Sequence, residues 1–443
     1  MKHTYTYIYP PQFTSHRPWI TRIISSILKN VTFLDLNNNS ILNTIKSEYD
    51  AYCFHPIFYR KAFPTYFYSC LKSGYYNSLL DNISTDSILL TINCYEDLFL
   101  AKYLLSRQYR VCIGGPYINI MGASIIRNLL PYSIGNRLMV YEGYLSSYED
   151  LSLLLSRWSD VKVYNDIDFS SYWNHKKDYY SGSSDPHSPI HIGFETKCNY
   201  SKCKFCTFKQ LPYCSFISDA SISSIVDNVS YLSSYYNTSV IRLIDSLFTP
   251  SQKKVEILSS LRKLDLYTIC YSSIPYLAKL SYIEFLNLCT RSLLIGLEST
   301  NDYSLRAVGK GYTYDIIKKA ISNIKNKLSR RISLNFSIML DLPVGGVSEI
   351  KKNYDNIEKI KADLISSGFK VNMTYHPLSL SDNKELLNTT HYDCIEYSEE
   401  YLCGGEWVNH HIGQVIPNLQ YVPYIRRDSS GNPIKSDIIY LMN

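Results

Sequence analysis

Short apolar runs and amphipathic stretches alternate along most of this chain, and that alternation leaves few folds open. Thr4 to Tyr9 alternates as a strand does and stops at Pro10-Pro11; Pro18 to Leu28 has the period of an amphipathic helix, and Val31 to Leu36 returns to strand. Parallel strands need a long crossover between them, so strand, helix, strand reads as a βαβ unit. Further strands are predicted at Ser87 to Asn93, Arg110 to Ile113 and Arg137 to Tyr141. Helices are predicted over Tyr95 to Arg107, near Ala123 to Leu130 and over Tyr148 to Arg157, and the Tyr-rich stretch from Ile45 to Leu80 is expected to be helical. The fold class is α/β, beginning with a doubly wound, Rossmann-like parallel sheet over residues 1–160.

Tyr180 to Pro189, rich in Ser, Gly and Pro, is the clearest linker, which is placed at 161–190. Six further βα units follow within 191–380. Their strands are predicted from His191, at Val240 to Ile244, Tyr267 to Ser272, Ser292 to Gly296, Leu334 to Leu340 and Val371 to Tyr375. In the helix predicted over Tyr314 to Leu328, Ile316, Ile317, Ala320, Ile321, Ile324 and Leu328 make one face while Lys318, Lys319, Lys325 and Lys327 point away. Residues 381–443 form a C-terminal extension with little legible pattern.

A chain of 443 residues with 45% hydrophobic content supports two or three domains with real cores. The net charge of +6 is spread out rather than gathered in a run, so a nucleic-acid partner is not implied. No stretch has the run of about 18 or more apolar residues that a membrane span needs, and the N-terminus lacks a signal-peptide core. The expectation is a soluble cytoplasmic protein with no membrane partner. Twelve cysteines without a regular framework fit a compartment where thiols stay reduced or bind metal.

Three of those cysteines, Cys198, Cys203 and Cys206, share one loop with the spacing C-x4-C-x2-C, just after a strand. Thiolate sulfur is soft and deprotonates beside a cation, so one loop can wrap three such ligands around a single metal centre. A 4Fe-4S cluster held this way keeps one iron open to substrate or cofactor. A structural zinc site needs a fourth ligand, for which Cys214 and His191 are near in sequence.

This loop resembles the cluster loop of the radical S-adenosylmethionine (SAM) enzymes, with Phe205 as the aromatic before the last cysteine. The extra residue between the first two cysteines is similar to the form carried by radical SAM proteins with an N-terminal cobalamin-binding-type domain; Lys197 stands for its Gly and Tyr200 for its Trp. The N-terminal region resembles that domain in the order of its loops: Pro10-Pro11, Asp35-Leu36-Asn37, Gly114-Gly115-Pro116 and Tyr141-Glu142-Gly143. The Asp-x-His-x-x-Gly signature that supplies a histidine to cobalt is absent. The resemblance implies cobalamin contacts at Pro10, Pro11, Asp35, Gly114, Gly115 and Glu142; a vestigial domain that binds nothing is the alternative.

For the second half the resemblance implies a partial (β/α)6 TIM-type barrel with its site at the carboxyl ends of the strands. It implies SAM contacts at Phe205, at Asp245 and at Glu298, which is followed by Ser299 as in a Gly-x-Glu-Ser segment. Seen without the resemblance, Ser299, Thr300 and Asn301 are candidate helix caps. Lys310 occupies a Lys-Gly segment and is expected to be structural. Asp341 replaces the first Gly of a Gly-Leu-Pro turn, and His376 faces the same end, as proton donor or core histidine.

The resemblance implies a 4Fe-4S cluster and SAM as cofactors, cleavage of SAM to a 5'-deoxyadenosyl radical, and cobalamin-dependent C-methylation or a related modification. The implied partners are a peptide or small-molecule substrate, of the ribosomal-peptide or natural-product type, and an electron donor such as flavodoxin or ferredoxin. RNA modification by an enzyme with a vestigial domain is one alternative, and a non-catalytic zinc or iron-sulfur protein is another.

Overall fold

A computed structural model describes residues 5–10, 19–27, 31–36, 83, 85–93, 97–128, 130, 136–144, 155, 158, 160–163, 169–176, 188–196, 198–378, 392–394, 424–434 and 437. Pro11, the Ile45 to Leu80 stretch and most of Tyr148 to Arg157 and of Tyr180 to Pro189 lie outside them. The chain divides into two compact units, Met1–Thr196 with Gln210–Val240, and Lys197–Lys209 with Ile241–Asn443.

In the first unit β1 (Tyr5–Tyr9), α1 (Trp19–Ile27) and β2 (Val31–Asp35) form the expected βαβ unit. β3 (Ser87–Thr91), α2 (Asp97–Ser106), β4 (Arg110–Gly114), α3 (Pro116–Met121), α4 (Ala123–Asn128) and β5 (Leu138–Gly143) continue it. The strands are parallel in the order β2-β1-β3-β4-β5 with a sixth, β6 (Val161–Val163), beside β5. Every residue of β5, and all of β3 but its first, is buried, as parallel strands covered on both faces require. The crevice of a sheet in this order lies where the order reverses, between β1 and β3.

Residues 161–190 are more than a linker. β6 pairs with β5 through Tyr141↔Val161 and Gly143↔Val163, and α5 (Ser170–Asn174) follows. Trp173 Nε1 donates to the Phe216 carbonyl at 2.5 Å, and Asn228 Nδ2 to the His175 carbonyl at 2.6 Å. Buried Arg22 of α1 donates to Asn228 Oδ1. These contacts gather 210–240 into the first unit, with α6 (Ile222–Tyr236), although the helix follows the cysteine loop in sequence.

The Gly114-Gly115-Pro116 turn has a structural cause. Pro116 opens α3, where its missing N–H leaves no bond unmade. Gly115 has φ 110° and ψ −176°, a region open almost only to glycine, and a Cβ there would sit 2.9 Å from both the Ile92 carbonyl oxygen and Thr91 Cγ2. Gly115→Ala is therefore expected to destabilise the unit by about 1–3 kcal/mol from backbone strain alone. The check is a thermal melt followed by circular dichroism; an unchanged midpoint would show that the turn is not needed.

The second sheet is six-stranded and parallel where pairings are registered, in the order β7-β8-β9-β10-β11-β12: β7 (Ile190–Ile192), β8 (Val240–Leu243), β9 (Tyr267–Ser273), β10 (Thr290–Glu298), β11 (Ser333–Leu340) and β12 (Val371–Pro377). It is an open half-barrel. In β11 the apolar Leu334, Phe336, Ile338 and Leu340 are buried, while the alternating Ser333, Asn335, Ser337 and Met339 are half-buried. Such alternation marks one face packed and one face partly open.

Its helices are α7 (Gln252–Lys263), α8 (Ile274–Leu277), α9 (Leu280–Cys289), α10 (Asp302–Ala307), α11 (Tyr314–Lys327) and α12 (Val347–Ser366). α11 buries Ile317, Ala320, Ile321 and Ile324 as its periodicity predicts, with Ile316 at the edge of that face only half-buried and Lys318, Lys319 and Lys327 exposed. Lys325 is drawn into an ion pair with Asp363 of α12 at 2.6 Å. A small antiparallel sheet of β13 (Tyr392–Cys394), β14 (Tyr424–Arg427) and β15 (Pro433–Ile434) lies in the C-terminal extension.

Candidate active site

Cys198, Cys203 and Cys206 lie on a loop that the second unit holds at several points. Lys204 N–H donates to the Val308 carbonyl at 2.9 Å, and Tyr200 O–H to the Gly309 carbonyl at 2.7 Å. Asn199 Nδ2 donates to Thr249 Oγ1 at 3.3 Å. The receiving segment is Gly309-Lys310-Gly311, and both glycines allow close approach. Gly309 has φ 77°, and a Cβ on it would overlap the Lys202 carbonyl oxygen; a Cβ on Gly311 would lie 2.5 Å from the Tyr200 hydroxyl.

The thiols are free and half-buried. Burial pushes Cys203 up to about 11, against the pull of the Lys310 ammonium, and Cys206 and Cys198 add to the rise. Burial raises Cys206 as well, but the backbone N–H groups of Phe208 and Lys209 oppose it. Thiols that burial holds protonated, as at Cys203 and Cys206, need a cation to become thiolates, and N–H groups aimed at sulfur are what a bound metal-sulfur centre uses. These residues fit a cluster. Among the described residues, no three His, Cys, Asp or Glu side chains close on a point suited to one metal ion.

Cys214, one candidate fourth ligand for zinc, is buried, with its backbone bonded both ways to Thr196. Burial pushes its thiol up to about 12, the state of an inert structural cysteine. His191 is buried in β7.

Glu298 ends β10 at φ 62°, after a break in register at Gly296, and is buried. Its Oε1 accepts from Lys310 Nζ at 3.2 Å, while Oε2 has no hydrogen-bond partner among the described residues. Burial alone would lower the Lys310 ammonium, but Glu298, Tyr312 and Cys203 outweigh it and hold the group above its ordinary value. Nζ also lies 5.3 Å from the centre of the Phe205 ring and 5.9 Å from that of Tyr312. Phe205, the predicted aromatic, is thus packed by a cation, and Lys310 links the cysteine loop to Glu298.

Asp245 follows β8 and is fully buried, 3.6 Å from Lys254 Nζ, which also donates to the Thr249 carbonyl at 3.2 Å. Sequence reading missed Lys254. The available signal was a lysine on the buried stripe of α7, in line with Ile257, Leu258 and Leu261. Asn301 is the N-cap of α10, its Oδ1 accepting from Ser304 N–H at 2.9 Å. Ser299 and Thr300 instead donate to Asn353 Oδ1 at 3.0 and 2.9 Å. His376 lies in β12, half-buried, in register with Met339. A cavity of about 620 Å³ opens between the starts of α10 and α12, lined by Thr300, Asn301, Gly345, Gly346 and others; no loop cysteine, Glu298 or Lys310 lines it.

In the first unit Pro10 is buried just past the end of β1, and Asp35, the last residue of the neighbouring β2, is in register with Tyr9. Gly114 and Gly115 serve the turn described above. Glu142 lies within β5 and is buried, its Oε2 accepting from Ala123 N–H at 2.9 Å and so capping α4. Asn119 and Gly143 exchange two hydrogen bonds beside it, at 3.2 and 2.8 Å.

Residues 194–350 match the sequence profile of the radical SAM superfamily. That span is a radical SAM domain, and it contains the cysteine loop, Glu298 and Lys310. No curated protein matches the sequence significantly. Among solved structures the chain is similar to TsrM from Kitasatospora setae, a radical SAM methyltransferase with cobalamin and a 4Fe-4S cluster bound: TM-score 0.54, 12% identity, 85% of this chain and 75% of that one. TsrM with tryptophan substrate and the SAM analogue aza-SAM gives 0.51 and 13%, over 81% and 72%. OxsB, a cobalamin-dependent SAM radical enzyme with aqua-cobalamin and SAM bound, gives 0.50 and 14% over 87% of this chain and 55% of its own, so the chain spans about half of OxsB. At such identities the likeness is one of fold, a Rossmann-like sheet domain joined to a radical SAM half-barrel. No helix among the described residues is long and apolar enough to cross a membrane.

Proposed function

We propose that this protein is a cobalamin-dependent radical SAM methyltransferase that modifies a carbon of a peptide or small natural product. The observation that carries the proposal is the seating of the three-cysteine loop on Gly309-Lys310-Gly311, beside a buried glutamate with a free oxygen. When bound, a 4Fe-4S cluster and SAM would supply a 5'-deoxyadenosyl radical, and cobalamin a transferable methyl group. Cys198, Cys203 and Cys206 would hold the cluster. Glu298 Oε2 would accept from the amino group or a ribose hydroxyl of SAM, while Phe205, Tyr312 and the strand ends around them keep water from the site.

The first sheet would take cobalamin at its carboxyl edge near the β1/β3 reversal, next to Pro10. One observation favours a vestigial domain instead: Gly115 and Glu142 are already engaged within the sheet domain itself. A cytoplasmic location and an external one-electron donor of the flavodoxin or ferredoxin kind complete the proposal, in keeping with the free described cysteines.

The test is anaerobic protein made with cobalamin and reconstituted with iron and sulfide. Expected are about four irons and about one cobalt per chain, and 5'-deoxyadenosine on adding SAM and dithionite, absent from a Cys206→Ala control. Iron without cobalt would favour the vestigial domain. Zinc in place of iron, or no 5'-deoxyadenosine above the control, would overturn the enzyme.

A further inference from the structure

We infer that Lys310 is a positioning residue for the electron delivered to the cluster: its buried ammonium, caged by Glu298, Tyr312 and the Phe205 ring of the cysteine loop, raises the cluster's affinity for that electron. The inference rests on the three cysteines being cluster ligands. Cluster potentials are set by local charge, hydrogen bonds to sulfur and solvent exposure, so a fixed cation next to one ligand is a direct lever. Charges interact more strongly away from bulk water, because the effective dielectric near a buried site is far below that of solvent.

Three features fix this cation in place. The lysine side chain is 12% exposed and its carboxylate partner 8% exposed, so neither is free to swing into solvent. Its Nζ stands near two aromatic rings, one of which, Phe205, lies between Cys203 and Cys206 in the chain. Tyr312 is itself pinned, donating to the carbonyls of Gly296 and Leu297 at 3.1 Å. A lysine serving only to neutralise Glu298 would not need to reach over the cluster loop. The backbone beside it is tied to the same loop, with Lys204 N–H donating to the Val308 carbonyl at 2.9 Å and Gly309 packed against the Lys202 carbonyl oxygen.

The step concerned is simple. A bound oxidised cluster would take one electron from a low-potential one-electron donor, with no bond formed or broken. A positive charge nearby stabilises the product of that step, and a negative charge opposes it.

The experiment is a redox titration without SAM, read by electron paramagnetic resonance with dithionite and mediators, on reconstituted wild type, Lys310→Gln, Lys310→Arg and Glu298→Gln. Iron and sulfide are measured for each. Lys310→Gln is expected to lower the ratio of reduced to oxidised cluster at a fixed poise at least tenfold, about 59 mV for one electron. Lys310→Arg should restore most of that shift, and Glu298→Gln should move the potential the other way by a smaller amount. General loosening of the loop would shift both neutral variants alike, and that result, or an unchanged potential in Lys310→Gln with full cluster, would overturn the inference. Should Lys310→Gln take up no cluster, the sign in Glu298→Gln decides. A wild-type chain without iron overturns this inference together with the cluster itself, and is distinguished by the iron assay.

Discussion

Gly309→Ala is expected to give a folded chain that fails to retain its iron and sulfide. Gly309 has φ 77°, where an L side chain costs about 1–2 kcal/mol. The added Cβ would also overlap the Lys202 carbonyl oxygen, a backbone atom that cannot rotate away, and overpacking of that kind costs about 1–3 kcal/mol more. Lys202 precedes Cys203 directly, and Lys204 is bonded to Val308, so relief of the overlap has to lift the segment that aims Cys203. A combined cost of about 2–5 kcal/mol shifts the balance between seated and lifted loop by a factor of about 30 to several thousand.

Gly309→Asn separates the two causes, because asparagine tolerates positive φ but still carries a Cβ. Both variants should lose cluster if close approach dominates, and only Gly309→Ala if backbone strain does. Iron and sulfide per chain, with the circular dichroism melt as a check on folding, decide between them. Full cluster in Gly309→Ala would show that the loop is not held by this contact.

Much of the fold could be read from period alone. The strands from Ser87 and from Leu334 and the apolar face of α11 follow from side chains repeating every second or every three to four residues, which is local information. The half-open face of β11 is equally plain in Ser333, Asn335 and Ser337. The Gly309-Lys310-Gly311 segment was visible as a motif, but its purpose was not, since the partners that need those glycines, Lys202 and Tyr200, lie about a hundred residues upstream. Glu298 was legible as a strand-end acid; that it shares a cage with Lys310 depends on a turn at positive φ that no spacing announces. Glu142 was legible only as part of a loop order, and its bond to Ala123 shows the same residue closing a helix end.

Arg426→Met is expected to destabilise the second unit by about 3–5 kcal/mol, the cost of leaving a buried charge without its partner. Arg426 is 2% exposed, and its Nη2 donates to Asp437 Oδ1 at 2.6 Å while Nη1 donates to the Leu342 carbonyl at 3.1 Å. Asp437 Oδ2 accepts from the backbone N–H of Asp341 at 3.0 Å and from the Tyr354 hydroxyl at 3.3 Å. The Asp437 N–H in turn donates to Asp341 Oδ1 at 2.9 Å, and Arg426 Nη1 lies 4.0 Å from the same oxygen. Two buried carboxylates therefore share one cation. Asp341 stands at φ 61°, in the place where the family turn has glycine, and aspartate is one of the few other residues that tolerate it. The carboxylate gained there adds one more tie, accepting from the Asp437 N–H, between the C-terminal extension and the turn after β11. Removing the guanidinium leaves both carboxylates to be protonated or exposed, so the loss exceeds that of an ordinary surface pair, worth about 0–1 kcal/mol. Arg426→Lys should fall between, keeping charge but losing the forked geometry that serves Asp437 and Leu342 together. Combining Arg426→Met with Asp437→Asn should recover part of the loss, because the double variant removes one of the charges left alone. Urea unfolding monitored on the full chain reads all three, and a single Arg426→Met loss below about 1 kcal/mol would place the network among pairs that solvent already screens.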